Sequence, residues 1–368
     1  MKPLPVDQKY VLDLLVELLR TPSPSGYTDR VVHTACDELE RLKIPYELTR
    51  RGAIRATLKG EVESPDRAIV AHLDTLGAMV KSLKPNGRLE VVPVGHWNAR
   101  FAEWCRVTVF TDIRPIRGTI LPLKASGHTF ADEIDTQPSR WNNLEVRVDE
   151  DCRTSDDLMQ LGFHVGDFLA IDPNTEISEN GYINSRHLDD KAGAAVLFGT
   201  AKAIVEAGVT LPVDCHLLFT ISEEVGSGAS AVLQGDVAEM VTIDNGATAP
   251  GQNSNEYGVT VAMADSSGPF DWHLSHYMIQ LCKEFNIQHQ RDIFRHYRSD
   301  SASALAAGND LRTALICFGI DASHGYERIH WHSLQSLIQL LSAYVQSQPM
   351  YRRDRFEMGP RSGFPTMP

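Results

Sequence analysis

Residues 216–228 read HLLFTISEEVGSG, and this stretch decides how the rest of the sequence is interpreted. An apolar run with the composition of a buried strand leads directly into two adjacent acids, Glu223 and Glu224, which glycines follow. Successive side chains of an extended chain point in opposite directions, so the two carboxylates face different groups. In open α/β sheets, functional side chains collect beyond the carboxyl ends of the strands. The pair therefore predicts a functional site at one edge of a sheet.

The surrounding sequence alternates between helical and strand patterns. Helical spacing of apolar residues is clear near the N-terminus, in DDKAGAAVLFGTAKAIVEAG and in SLQSLIQLLSAYVQS, and strand-like runs such as AEMVTIDN and TALICFGIDA lie between the later helices. This alternation predicts an α/β fold built on one sheet.

Residues 82–170 have a different pattern of apolar and turn-forming residues. Short β-type runs are separated by turns rich in Gly, Pro and Asp, with almost no helical pattern, which indicates a small inserted β-barrel or sandwich. We therefore divide the chain into a first part of a catalytic α/β domain at 1–81, an inserted β-rich domain at 82–170, a second catalytic part at 171–350 and a flexible tail at 351–368.

Composition narrows the possible partners and the compartment. The 368 residues carry a formal net charge of −13 without a Lys/Arg-rich run, which argues against nucleic acid or an anionic membrane as a partner. There is no apolar run of about 18 residues, as a membrane span requires, and no secretory signal pattern at the N-terminus. Six cysteines without CxxC spacing are typical of reduced thiols, so we expect a cytoplasmic protein.

Acids and histidines stand at several other element ends. They are His72 and Asp74 in AIVAHLD, Asp189 in SRHLDDKAG at a predicted helix start, Asp244 in EMVTIDN and His324 beyond ALICFGIDA. Imidazole and carboxylate together suit divalent zinc, with cobalt or manganese as alternatives. Taken singly, each feature is more often a solvated turn or a capped helix, but their shared location predicts a site for two metal ions.

The residues of the predicted site have different expected roles. Two metals need a ligand that touches both, and the two oxygens of Asp189 can do so. Asp74, two residues after His72, is placed to accept the other ring N–H. One glutamate of the 223/224 pair would bind metal and the other would act as general base on a metal-bridging water; the residues alone leave open which does which.

Two other functions are compatible with parts of the sequence, a nucleotide-cofactor enzyme and a non-catalytic homologue. Gly226, Gly228 and Ala231 spell GxGxxA after a strand, as in NAD-type nucleotide sites. A pyrophosphate there would meet the two glutamates, with a repulsion of roughly 3 kcal/mol per charge pair. The third possibility is a homologue that binds metal without catalysis, although every ligand type and the base are present.

In the order HLD, LDD, SEEVG, DNG and a histidine after FGI, the chain resembles metallopeptidase family 42, the tetrahedral and glutamyl aminopeptidases. The resemblance implies a zinc-aminopeptidase-like fold, with a central mixed sheet flanked by helices and the β-rich insertion. It also implies a homo-oligomer, up to a dodecamer, that acts on small peptides or amides. Carried over by position, it implies metal ligands His72, Asp189, Glu224, Asp244 and His324, the base Glu223, and Asp74 behind His72.

The resemblance departs from the family pattern around the expected substrate pocket. SHGYERIH follows the last strand where the family has serine and proline after the histidine, and YRSDSASA stands for its glycine-threonine-aspartate-alanine stretch. We expect Asp300 and Glu327 near this pocket, with His330 as a weaker candidate than His324 for the last ligand. SHGYERIH also resembles a branch associated with the osmoprotectant N-acetylglutaminylglutamine amide, which implies a capped glutamine dipeptide as an alternative substrate.

Overall fold

The structure is a computed structural model that describes residues 1–233 and 236–367. The first stretch of the chain forms two helices and three strands. One face of the first helix is buried, and the Asp7 side chain caps its start by accepting from the Tyr10 N–H. The residues of that face are Val11, Leu14, Leu15, Leu18 and Leu19. The elements are α1 (Gln8–Arg20), α2 (Asp29–Arg41), β1 (Tyr46–Leu48), β2 (Ile54–Leu58) and β3 (Gly60–His72).

The next stretch closes into a six-stranded barrel with its own apolar core. Its strands are β4 (Gly77–Leu83), β5 (Leu89–Val94), β6 (Arg106–Phe110), β7 (Pro115–Pro122), β8 (Leu144–Val148) and β9 (Phe168–Ile171). Short helices connect them: α3 (Ala99–Ala102), α4 (Gly127–Phe130), α5 (Glu133–Thr136) and α6 (Ser155–Gln160), with a 3₁₀ turn at Trp141–Asn143. The closed order is β4-β5-β8-β7-β6-β9.

The remaining stretch returns to the sheet. Its strands are β10 (Glu176–Ile177), β11 (Tyr182–Ser185), β12 (Leu211–Thr220), β13 (Val237–Ala247), β14 (Val259–Asp265), β15 (Gly268–Pro269), β16 (His289–Ile293), β17 (Arg312–Ile320) and β18 (Glu327–His330). Its helices are α7 (Leu188–Ala207), α8 (Trp272–Glu284), α9 (Asp300–Ala306) and α10 (Trp331–Gln346), with 3₁₀ turns at Gly228–Ala231 and Arg352–Arg355.

The central sheet has the order β1-β2-β12-β3-β13-β17-β14-β15, with β16 paired to β14. Strands β12, β3, β13 and β17 are mutually parallel neighbours, whereas β2 and β14 run antiparallel to this group. All ten residues of β12 are buried, as expected for a parallel strand covered on both faces. The four parallel strands therefore end at the same edge of the sheet.

The predicted fold class, a central mixed sheet flanked by helices with an inserted β-barrel, is confirmed. The barrel strands run from Gly77 to Ile171, and the division of the chain into units at 82 and 170 stays a prediction. In the stretch predicted as a tail, Asp354 accepts a hydrogen bond from Arg312 at 2.6 Å. Among residues 1–233 and 236–367, no helix has both the length and the apolar character of a membrane span.

Candidate metal centre

The carboxyl ends of the parallel strands bring the predicted site residues together. Thr220, the last residue of β12, pairs with His72, the last residue of β3, so the glutamate pair that follows β12 lies beside the histidine. Asp244 lies near the end of β13, opposite Cys317 in β17, and His324 follows the end of β17. Residues far apart in sequence thus meet because their strands are parallel and in register.

Asp189 lies at the centre of this group. Its Oδ1 is 3.2 Å from Nε2 of His72, and its Oδ2 is 3.3 Å from Nε2 of His324. Each oxygen of one carboxylate therefore faces a different imidazole.

Two sets of three potential ligands share Asp189. The first contains His72, Asp189 and Asp244, the second contains Asp189, Glu224 and His324, and within each set the candidate ligand atoms all lie within 4.8 Å of one another. A carboxylate common to two such sets has the geometry needed to bridge a pair of metal ions.

Asn245 is a member of the centre that the sequence reasoning missed. Its side-chain amide donates to Oδ2 of Asp189 at 2.7 Å and to Oδ1 of Asp244 at 3.1 Å. The Tyr297 hydroxyl in turn donates to the backbone carbonyl of Asn245 at 2.7 Å. Asn245 follows Asp244 in the DNG motif, which is the one sequence signal that could have pointed to it.

The turn that carries Asp189 is irregular. Asp189 and Asp190 have non-helical backbone angles at the start of α7, and the peptide bond between them is cis. Asp190 accepts from the backbone N–H of His72 at 3.1 Å. A Cβ at Gly193 would lie 2.2 Å from the Asp190 carboxylate, so this position requires glycine.

Glu327 connects the Asp189 turn and the His324 loop through hydrogen bonds. One of its oxygens accepts from the backbone N–H groups of Leu188 at 2.8 Å and Asp189 at 3.3 Å, and the other accepts from the N–H of His324 at 2.8 Å. The side chain is buried. A carboxylate predicted to lie near the substrate is therefore placed behind the centre, where it ties the Asp189 turn to the His324 loop.

Asp74 contacts both His72 and the glutamate pair. The acceptor closest to Nδ1 of His72 is the backbone carbonyl of Asp74 at 2.9 Å, while the Asp74 carboxylate is 3.5 Å away. That carboxylate accepts from the N–H groups of Glu223 at 3.1 Å and Glu224 at 3.3 Å, and from the hydroxyl of Ser25. Asp74 therefore fixes the orientation of His72 and the backbone of the glutamate pair together.

The barrel contributes a backbone group to the centre. Nδ1 of His324 lies 3.0 Å from the carbonyl oxygen of His96, in the segment between β5 and α3. His324 also has a left-handed backbone, with a φ of 66°. His330 lies elsewhere: its Nε2 is 2.9 Å from the carbonyl of Asn180, and its ring packs against Tyr182 and Tyr257. Of the two histidines considered for the last ligand, the structure brings only His324 to Asp189.

Crowded carboxylates dominate the electrostatics of the site. Burial, reinforced by Asp189, raises the pKa of Glu224 to about 8 and that of Asp244 to about 8. Burial also raises the pKa of Glu223 well above its usual value. The buried acids thus resist ionisation without a nearby cation.

The contacts between the histidines and Asp189 shift both pKa values in the direction that favours the charged forms. Burial lowers the pKa of His324, but hydrogen bonding to Asp189 and the charge of Glu224 raise it to about 10. Burial alone would raise the pKa of Asp189, yet its hydrogen bonds to His324 and His72 hold that pKa below the usual value. The pocket favours positive charge between its acids, and its oxygen and nitrogen donors fit divalent zinc, cobalt or manganese.

A cleft of about 1660 Å³ opens over the centre. Asp189, Glu223, Glu224, Asp244 and His324 line it on one side, and Oε2 of Glu223 is 3.8 Å from Nε2 of His72. Residues 95–98 and Phe101, from the barrel region, form part of another side. A group bound in the cleft can therefore reach both the glutamate pair and the possible metal ligands.

Asp300 is buried beneath the glycine-rich turn after β12. Its carboxylate accepts from the Thr220 hydroxyl at 2.6 Å and from the N–H of Ala229 at 2.7 Å. A Cβ at Gly228 would lie 1.8 Å from Asp300 Oδ1. The GxGxxA stretch therefore forms a 3₁₀ turn packed on a carboxylate, an arrangement that disfavours the nucleotide interpretation because a pyrophosphate binds at the N-terminus of a helix.

Comparisons with known proteins agree with this geometry. A family model described as M42 glutamyl aminopeptidase matches residues 52–340. The chain is 37% identical to "Putative aminopeptidase YhfE" of Bacillus subtilis (strain 168), over 91% of this chain and 97% of that protein.

Solved structures share the fold at lower identity. A TET aminopeptidase from the marine sediment archaeon Thaumarchaeota archaeon SCGC AB-539-E09 superposes with a TM-score of 0.84 and 17% identity, covering 92% of this chain and 98% of that one. The TET1 peptidase of Pyrococcus horikoshii, which can assemble into a tetrahedron or a large octahedral shell, has a TM-score of 0.81 and 21% identity, covering 92% and 100%.

Proposed function

This chain belongs to the M42 glutamyl aminopeptidase family and is a metallo-aminopeptidase, and from this premise we propose that it releases the N-terminal residue of short peptides with two divalent cations held through Asp189. The observation that carries the proposal is the sharing of Asp189 by two sets of potential ligands. Its two oxygens face His72 and His324 from opposite sides, as a bridging ligand would.

Each cation would have a defined set of protein ligands. His72 and Asp244 would hold one, Glu224 and His324 would hold the other, and Asp189 would contact both. Three carboxylates against two dications leave one net positive charge, which a hydroxide brings to neutrality. When bound, the two cations supply Lewis acidity at the scissile carbonyl and lower the pKa of a water. We propose zinc as the native metal, with cobalt or manganese as alternatives.

Glu223 is the proposed general base. It lines the cleft beside His72, and Asp74 holds the backbone of the glutamate pair, so its carboxylate is directed at the substrate side. In the reaction it takes a proton from the attacking water and returns it to the leaving amine. Glu224, the other member of the pair, lies 3.8 Å from His324. This difference in neighbours supports the division of roles between the two glutamates.

The same proposal extends to assembly and compartment. TET relatives with this fold form closed shells, and we propose a homo-oligomer, up to a dodecamer, in which the barrel domain makes subunit contacts. Six free cysteines support a reducing, cytoplasmic location. Glu327 and Asp300, whose contacts are with backbone and hydroxyl groups, are proposed to shape the pocket from behind.

An activity screen with metal control tests the proposal. Purified protein is assayed against aminoacyl amides, short peptides with free N-termini and capped glutamine dipeptides, before and after chelation and after zinc is restored. We expect hydrolysis of free N-terminal peptides that chelator abolishes and zinc restores. Hydrolysis that survives complete metal removal would refute the metal-dependent mechanism, and metal binding with no turnover of any substrate would favour a non-catalytic homologue.

A further inference from the structure

Three arginines line the same cleft as the acidic centre, and we refer to Arg291, Arg295 and Arg298 as the arginine wall. All three are exposed to the cleft or to solvent. The Arg298 guanidinium lies close to Gly226, where an added Cβ would come within 2.8 Å of Nη2. Arg298 therefore lies near Gly226, three residues after Glu223 in the sequence.

The arginines of the wall lie on exposed positions next to buried ones. Arg291 in β16 is exposed while Asp292 is buried, and Arg295, in the bend after the strand, is exposed while Phe294 is buried. Asp292 accepts from the backbone N–H groups of residues 253 and 254, at 2.8 and 2.9 Å, and Phe294 donates its N–H to the carbonyl of residue 264 at 3.0 Å. These contacts hold the segment in place, so the guanidinium groups point away from the fold.

Tyr297 links the wall to the metal centre. Tyr297 lies between Arg295 and Arg298 in the sequence, and its hydroxyl donates to the backbone carbonyl of Asn245. The side-chain amide of Asn245 in turn contacts Asp189 and Asp244. This hydrogen bond ties the segment that carries the arginines to the acidic centre. Acidic and basic side chains therefore line the same cleft.

Within the described part of the chain, the arginines of the wall form no ion pair with an acidic side chain. Across residues 1–233 and 236–367, no ion pair within 4.0 Å involves Arg291, Arg295 or Arg298. The chain carries 48 acids against 35 Lys and Arg, and Arg312 and Arg328 pair with carboxylates. Three unpaired guanidiniums in one cleft of an acidic protein form a site that remains available for an external anion.

We propose that the arginine wall binds a carboxylate of the substrate, so that the enzyme prefers anionic peptides over their neutral counterparts. This inference rests on the proposed aminopeptidase function. Guanidinium groups bind carboxylates through paired hydrogen bonds, and a cleft of about 1660 Å³ exceeds the roughly 300–1,000 Å³ of common ligand pockets. Peptide residues beyond the scissile bond therefore have room to extend from the metal centre to the wall.

The carboxylate can come from the C-terminus or from an acidic side chain, and matched peptides distinguish the two sources. Ala-Gly-Gly is compared with Ala-Gly-Gly-amide, which lacks the terminal carboxylate. Ala-Gly-Glu-amide is compared with Ala-Gly-Gln-amide, which lacks the acidic side chain. Binding is measured by calorimetry on zinc-loaded Glu223→Gln protein, so that the peptides are not consumed, and turnover is measured separately on the unmodified enzyme.

We expect one or both carboxylate peptides to bind about tenfold more tightly than the neutral partner, as one charged hydrogen-bonded pair supplies. The triple substitution Arg291→Gln, Arg295→Gln and Arg298→Gln should remove this preference and leave the Kd of the neutral peptides within about twofold. The matched control is Arg352→Gln, Arg355→Gln and Arg361→Gln, which removes the same charge from the exposed tail and should keep the preference. The preference should also shrink as salt is raised.

The outcomes separate this inference from the proposed function. Equal binding of acid and amide in both pairs, at low and at high salt, would overturn the role of the arginine wall even if every peptide is hydrolysed. A carboxylate preference that depends on the three arginines, without any hydrolysis by the unmodified enzyme, would uphold the wall and refute the aminopeptidase function. If the triple variant does not fold, Arg295→Gln alone and the salt dependence of the unmodified preference decide the question.

Discussion

The central sheet and the inserted barrel bury their apolar residues in different ways. The sheet is covered by helices, and all ten residues of its middle strand β12 are buried, while the acids and histidines of the candidate centre lie at or beyond the strand ends. The barrel closes on itself around a separate core, and in β5 Leu89 and Val91 are buried whereas Glu90 is half-buried and Val92 is exposed. The candidate metal centre therefore lies at the edge of the sheet, and the barrel region contributes backbone and cleft contacts such as the His96 carbonyl.

The strongest test of this division changes the residue on which the sheet strands converge. Asp189→Asn leaves a neutral amide that cannot bridge two cations with two anionic oxygens. We expect loss of bound metal and of detectable activity. The matched control is Asp190→Asn, the same chemical change one residue later, outside both ligand sets. Metal analysis of the two variants decides the question: metal content in Asp189→Asn equal to that of Asp190→Asn would show that the sheet edge does not hold the metals in this way.

A second change separates metal binding from catalysis at the same edge. Glu223→Gln keeps the size of the side chain and removes its ability to accept a proton. We expect unchanged metal content and a kcat lower by about 100-fold to 10,000-fold, the range for a lost general base. Steady-state kinetics and elemental analysis on the same sample provide the measurement. A near-normal kcat would mean that another group takes the proton.

The strand-end rule explains how much of this site the sequence could predict. His72, Glu224, Asp244 and His324 were found because parallel strands end together, and Asp189 because a helix begins beside them. The roles assigned to these residues stay predictions.

Other contacts depend on tertiary structure that no local pattern encodes. The Asn245 amide reaches Asp189, and Glu327 accepts from the N–H groups of Leu188 and Asp189, so these contacts join distant segments. The contact of His72 with the Asp74 carbonyl rather than its carboxylate is local in sequence, but it depends on how the folded chain orients the ring. Short β-type runs between turns predicted a β-barrel or sandwich, but not the pairing of β4 with β9 or of β5 with β8. The sequence analysis did not single out the arginine wall, because only folding brings these residues to the cleft.

A smaller effect is expected for Glu327, which holds the Asp189 turn and the His324 loop through hydrogen bonds. Glu327→Gln leaves three backbone N–H donors with only one good acceptor oxygen, and one unsatisfied buried donor costs about 1–3 kcal/mol. We expect a lower free energy of unfolding by that amount and weaker metal binding, measured by denaturant titration and calorimetry. Glu256→Gln, which breaks the ion pair with half-exposed Arg328, is the control and should change stability by less than about 1 kcal/mol. If both variants behave alike, Glu327 does not position the metal ligands.

The smallest effect on activity is expected in the barrel. Ile120→Ala and Ile69→Ala make the same cavity in two different cores, and both isoleucines are fully buried. Each should lose about 2–5 kcal/mol of stability. Only Ile69→Ala, three residues before His72 in β3, should also weaken metal affinity. A comparable loss of metal affinity in Ile120→Ala would remove the distinction between the two regions.

The number of cations bound per chain tests the central claim most directly. Metal-free protein is titrated with zinc and the bound metal is counted by native mass spectrometry, with Asp189→Asn measured in parallel. We expect two zinc ions per chain in the unmodified protein, and one or none in the variant. A single zinc per chain at saturation in the unmodified protein would contradict the account, because Asp189 would then have no second cation to bridge.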